Sequence, residues 1–169
     1  MPMKKKNGKI NGTGPELSLA VQYEMPSSEL PRWRIRRWVQ RALEGASQEQ
    51  AFSFKRVMLT VVILNEKQAL NYNESYRGKA YATNVLTFEY GAMPDGTLSA
   101  DLVLCLPVLT REAKEQKKPL LHHAAHLVIH GTLHALGYDH LNNRDALRME
   151  SLEKRILSNM RIPDPYASI

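Results

Sequence analysis

The chain has 169 residues, 43% of them hydrophobic and 24% charged, with 9 glycines and 9 prolines. That supports one domain with one substantial core and excludes a collagenous, coiled-coil or largely disordered chain. Its single cysteine, Cys105, excludes an internal disulfide or a cysteine zinc knuckle, so a reducing, cytoplasmic location is expected; 23 Lys and Arg against 17 Asp and Glu give a net charge of +6, which favours a polyanionic partner.

Met1–Lys9 carries a lysine run and is followed by Ile10–Glu16, not by the apolar stretch of a signal peptide. Residues 1–16 read as a flexible basic extension and 17–169 as a single domain, with no membrane span. Leu17, Leu19, Val21 and Tyr23 alternate and predict a first strand. Ser27 and Ser28 are capping candidates ahead of Pro31, and a helix is predicted over Leu30–Leu43. Its inward residues would be Leu30, Trp33, Val39, Ala42 and Leu43. Arg32, Arg34, Arg36, Arg37 and Arg41 cover the opposite side, either as a solvated face or as a phosphate-contact surface.

Arg56–Leu64 is β-branched and short, hence a central strand, and Asn65 caps a helix through Tyr76 that Gly78 can terminate. Val85–Tyr90 and Leu98–Leu106 predict a hairpin around Pro94-Asp95-Gly96. Helices are predicted over Pro107–Lys118, from Pro119 to about Leu136, and over Arg144–Met160 with Leu147, Leu152 and Ile156 inward. Cys105, in an apolar strand, reads as a small core residue.

The informative segment is His130-Gly131-Thr132-Leu133-His134-Ala135-Leu136-Gly137-Tyr138-Asp139-His140. Two histidines four apart share a helical face, and Gly137 can take positive φ, turning the chain so that His140 returns to them. Three imidazoles on one metal, with a fourth position open, is the pattern of a catalytic zinc site. His126, four before His130, offers the same helical pairing without a following third ligand, and reads as a packing or supporting residue. His122 and His123 read as exposed. The spacing is that of metzincin peptidases, but their glutamate base is replaced by Gly131, which cannot accept a proton. A metal centre on a basic protein is suited instead to an anionic substrate such as a phosphodiester.

On these residues the chain resembles the YbeY family, bacterial endoribonucleases also called rRNA maturation factors. HGTLHALGYDH at 130–140 is similar to the family's histidine signature. Tyr76-Arg77-Gly78-Lys79 with Ala82-Thr83-Asn84-Val85-Leu86-Thr87-Phe88 is similar to its second signature. Glu112-Ala113-Lys114-Glu115-Gln116 and Asp164-Pro165-Tyr166 follow in order, whereas Leu141-Asn142-Asn143-Arg144 departs from the more usual acidic residues.

The resemblance implies an α+β single domain with a small mixed β-sheet packed against helices and a metzincin-like three-histidine metal site. It implies Zn2+, or another divalent transition metal, held by His130, His134 and His140, with Arg77 and His130 as the catalytic candidates. A guanidinium at Arg77 suits this role, since it stays charged and grips phosphate through two donors. Arg77, Lys79, Arg34, Arg37 and Arg41 are the substrate-binding candidates. The implied activity is single-strand-specific RNA cleavage in ribosomal RNA processing, including 16S rRNA 3′-end maturation, and in ribosome quality control. The implied partners are rRNA precursors, the ribosomal small subunit and an assembly GTPase; no DNA or membrane is expected. The alternative is a ribosome-associated assembly factor whose metal is mainly structural. Asp139 either orients a ligand imidazole or stabilises the turn.

Overall fold

The computed structural model describes residues 14–77 and 84–167, apart from the side chains of 73, 76 and 77. In chain order the elements are β1 (Glu16–Tyr23), α1 (Arg32–Glu49), β2 (Arg56–Leu64), α2 (Glu66–Arg77), β3 (Val85–Ala92), β4 (Thr97–Cys105), α3 (Leu106–Glu115), α4 (Leu120–Ala135) and α5 (Asn143–Asn159). The strands form one sheet in the order β1-β2-β4-β3. β2 lies parallel to both β1 and β4, and β3 runs antiparallel to β4, so the sheet is mixed and the class is α+β, as expected.

The apolar run of β2 is continuous towards its end because both faces of the sheet are covered there. Val57, Leu59, Val61 and Ile63 join the larger core, in which Ile35, Val39 and Leu43 of α1, Ile129 and Leu133 of α4 and Leu152 and Ile156 of α5 meet. Val62 and Leu64 face the other way, into a smaller cluster with Ala69 of α2, Leu86, Val103, Cys105 and Val108 of α3. Each wholly buried leucine here contributes about 1.5–3 kcal/mol by leaving water. Cys105 is a free, buried core thiol, and burial pushes its pKa up.

Local signals account for several boundaries. Asn65 Oδ1 accepts from the Gln68 amide at 2.9 Å while Gln68 Oε1 accepts from the Asn65 amide at 3.2 Å, a reciprocal cap at the start of α2. The β3–β4 turn closes at Gly96, which has a φ of +86°, with Asp95 Oδ1 accepting from Thr97 N. Among the described residues, no helix is long and apolar enough to cross a membrane.

Other expectations are corrected. Ser27 and Ser28 do not cap α1: its N-cap is Pro31, without a side-chain hydrogen bond, and Ser27 Oγ donates instead to the Met25 carbonyl. The helix also runs six residues past Leu43, to Glu49, through Gly45. A Cβ at Gly45 would lie 2.7 Å from Ile156 Cγ1, so this glycine permits a close crossing with α5 and does not end the helix. Trp33 and Leu147 point outward, 59% and 64% exposed, and Ile35 and Met149 take the inward places. Glu16, assigned to the extension, opens β1. Residues 1–13, the terminator Gly78 and the rest of 78–83 lie outside the described residues.

Candidate metal centre

α4 carries the site on one face and packs against the sheet with the other. Ala125, Val128, Ile129, Thr132 and Leu133 are buried, while His126, His130 and His134, at intervals of four, are only partly so. At Gly131 a Cβ would stand 2.8 Å from Leu102 Cδ2 and 3.4 Å from Thr87 Oγ1. The helix backbone therefore rests on β4, and position 131 faces the sheet. A glutamate there would be driven into the core. We expect Gly131→Ala alone to lower stability by about 1–3 kcal/mol in urea titrations, the usual cost of overpacking, and Gly131→Glu to lower it further.

The helix ends as the sequence requires. Tyr138 N donates to Leu133 O at 3.0 Å and Gly137 N to His134 O at 3.0 Å, with Gly137 at φ +108°. These two bonds and the left-handed glycine form a Schellman ending. Tyr138, 5% exposed, is then held by its hydroxyl, which donates to Glu49 Oε1 at 2.9 Å, with the Arg148 guanidinium 5.2 Å from its ring centre. Asp139 Oδ1 accepts from the His140 amide at 2.7 Å, so the hydrogen bond of Asp139 goes to the turn. Asn142 caps α5 by accepting from Asp145 N, giving the departure from the family pattern a structural use.

The turn brings His140 back as expected. Ring centres are 5.5 Å apart for His130–His134, 5.7 Å for His130–His140 and 5.1 Å for His134–His140. The three can offer ligand nitrogens within 4.8 Å of one another. Burial and the neighbouring His130 and His140 push the pKa of His134 down, favouring its neutral, ligating form.

The sequence reading missed Glu153. This carboxylate, wholly buried on α5, accepts from His130 Nδ1 at 2.6 Å, from His126 Nε2 at 3.1 Å and from the Tyr166 hydroxyl. Burial alone would raise its pKa, but the hydrogen bonds from His126, His130 and Tyr166 outweigh that and hold it at about 2. Burial and the bond to Glu153 push the Tyr166 phenol up, keeping it the donor. With Nδ1 of His130 committed to Glu153, Nε2 is the nitrogen left for a metal. His126 is thus a supporting residue. The signal was present in the sequence: Glu153 lies between Met149 and Ile156 on the apolar face of α5, where a carboxylate needs partners.

His122 and His123 are not the exposed pair expected. His122 is partly buried, and His123 is 4% exposed, its Nε2 donating to Glu112 Oε1 at 2.8 Å. Glu112 also accepts from Asn84 Nδ2 at 3.1 Å, tying the start of β3 to α3 and α4. Burial lowers the pKa of His123 below 6.5 despite the Glu112 carboxylate. An unfolded chain therefore binds this proton more readily than the folded one. Stability from this residue is complete above about pH 6.5 and is lost as pH falls towards the folded value. Thermal melts should show that loss, and His123→Gln should make it shallower.

The arginines of α1 are divided. Arg34 and Arg37 line one groove with Trp33, whereas Arg41 lines a small separate cavity with Gly45 and Arg155. Arg77 ends α2, its side chain outside the described residues, as is Lys79.

A family model described as Endoribonuclease YbeY matches residues 20–161. Relatives named Endoribonuclease YbeY include one from Bordetella petrii, 57% identical over 153 residues that cover 90% of this chain and 99% of its own. A Bordetella avium relative is 54% identical over 152 residues, 90% of this chain and 94% of its own, and one from Thiobacillus denitrificans is 48% identical over 155 residues, 91% and 99%. The fold is similar to the solution structure of a Thermotoga maritima protein, with a TM-score of 0.55 at 20% identity over 89% of this chain and 99% of that one. With the family model and these relatives spanning nearly the whole folded region, the chain belongs to the YbeY endoribonuclease family.

Proposed function

We propose that this protein is a metal-dependent, single-strand-specific endoribonuclease of ribosomal RNA processing, working in the cytoplasm on rRNA precursors. The ribosomal small subunit and an assembly GTPase are its proposed partners. The observation that carries the reading is the convergence of His130, His134 and His140 at the end of α4 in a member of this family. Three nitrogen donors suit zinc or a similar divalent transition ion and not magnesium or calcium, which take oxygen ligands. The likeness to metzincins lies in the histidine spacing, without the glutamate. When bound, the ion supplies Lewis-acid polarisation at the phosphodiester.

The chain's own residues do the rest. Glu153 holds the proton of His130 on Nδ1 and fixes the orientation of that ring. Arg77, with Lys79, holds the scissile phosphate, and its two donors stabilise the charge that grows on the phosphoryl oxygens. Arg34, Arg37 and Arg41 extend the cationic surface along α1.

The test is cleavage of a ribosomal RNA precursor before and after chelation, with zinc or manganese restored, alongside Arg77→Ala. Chelation should stop cutting and restoration should recover it. Arg77→Ala should lower kcat/KM on the order of 100-fold. If the native protein leaves RNA intact while metal removal lowers both its melting temperature and its ribosome binding, the assembly-factor reading replaces this one.

A further inference from the structure

A groove of about 340 Å³ lies away from the metal centre, between the starts of α1 and α4, lined among others by Trp33, Arg34, Arg37, Pro119, His122 and Ile162. It shares Pro119, His122 and Ile162 with a larger cavity of about 570 Å³ that is bordered by Lys117 and Lys118. Among the described residues, Arg34, Arg37, Lys117 and Lys118 therefore line two adjoining depressions. The carboxylate among the described residues that line them is Asp164, which stands 3.8 Å from Lys154 Nζ.

Trp33 is 59% exposed at this groove, although an indole is among the costliest side chains to leave in water. The Arg34 guanidinium carbon lies 4.7 Å from the Trp33 ring centre, and Arg34 Nε is enclosed without a hydrogen-bond partner. Both bordering helices begin at a proline N-cap without a side-chain cap and without an acidic residue in the first turn. Their positive ends add to the same field. An aromatic plane beside paired arginines is the combination that holds an unpaired nucleotide, with the base on the ring and its phosphate on the cations. A duplex keeps its bases stacked and offers no free face to the indole. His122 precedes His130 by two steps of four along α4, about 12 Å of helix, so the groove is within reach along the same element.

We propose that this groove is an accessory subsite for single-stranded RNA, in which a base stacks on Trp33 and the adjoining phosphate is held by Arg34 and Arg37. The inference rests on the endoribonuclease reading for the identity of its ligand. Its test does not require cleavage. Binding of a fluorescein-labelled 2′-O-methyl oligouridine to the intact protein is followed by anisotropy over a range of salt. Trp33→Ala should weaken binding about five-fold or more, and Trp33→Phe, which keeps a stacking face, should recover most of it. Arg34→Ala with Arg37→Ala should weaken binding and flatten the dependence of log affinity on log salt by about one unit. Arg56→Ala, which removes a charge paired with Glu16 and away from the groove, should change neither. Circular dichroism melts confirm that the variants are folded.

Wild-type affinity and wild-type salt slope in both Trp33→Ala and the double arginine variant would overturn the proposal. With a cleavable substrate, the Trp33→Ala defect should fall on KM, more for a long strand than for one too short to reach the groove. Equal effects on both lengths would also overturn it. Failure of the nuclease reading looks different: the native protein would cut neither substrate, while the binding measurement would still decide the groove.

Discussion

His134→Ala should reduce RNA cleavage about a thousand-fold or more and leave the fold in place. His134 stands between His130 and His140, with ring centres 5.5 and 5.1 Å away, and its loss leaves two imidazoles where three converge. A Lewis acid at a phosphoryl oxygen contributes several kcal/mol to transition-state stabilisation, and each 1.36 kcal/mol is a factor of ten in rate. The side chain lies outside the apolar clusters, which Ile129 and Leu133 of the same helix join, so truncation costs the core little. Native protein and variant purified in parallel, compared by single-turnover cleavage and by bound metal content, give the answer. A variant that cuts at the native rate would remove the histidine centre from the chemistry.

Glu153→Ala should be the most destabilising single change at the site, by about 3–5 kcal/mol in chemical denaturation. The carboxylate is wholly buried and accepts from His126, His130 and Tyr166, so its removal leaves three donors without their acceptor. Glu153→Gln preserves the volume and separates structure from function. An amide is a weaker acceptor for His130 Nδ1–H and carries no charge to hold that ring. Metal affinity should then fall about 10–100-fold, with much less loss of stability than in the alanine variant. Equal metal affinity in Glu153→Gln and native protein would show that His130 needs no carboxylate behind it.

What was legible in the sequence was local. The four-residue histidine spacing, the left-handed Gly137, the Asn65 cap and the Pro94-Asp95-Gly96 turn each depend on residues a few places apart. Their geometry follows from backbone dihedrals and short hydrogen bonds. The errors arose where residue type stood in for the side of the helix that a residue faces, and where a helix end was set too early. Leu147 stands nine residues before Ile156, on the opposite side of a 3.6-residue helix, whereas Met149, seven before it, shares its face and is buried. The predicted helix stops at Leu43, whereas α1 runs on through Gly45, where Ile156 approaches too closely for a side chain.

The sequence by itself determined the strands, helices and turns in order and a three-histidine cluster, because hydrophobic period, turn residues and ligand spacing are encoded along the chain, while the α+β class with a mixed sheet came from the resemblance to the family. Tertiary structure decided which carboxylate stands behind the metal centre, which surface holds its turn in place, and which side chains stay in water. Glu153 meets His130 across 23 residues and Glu49 meets Tyr138 across 89. No period or motif spans such separations. They are set when α1 and α4 pack on one face of the sheet and α5 packs across those two helices, where burying the apolar sides of all three fixes the polar groups that must go in with them.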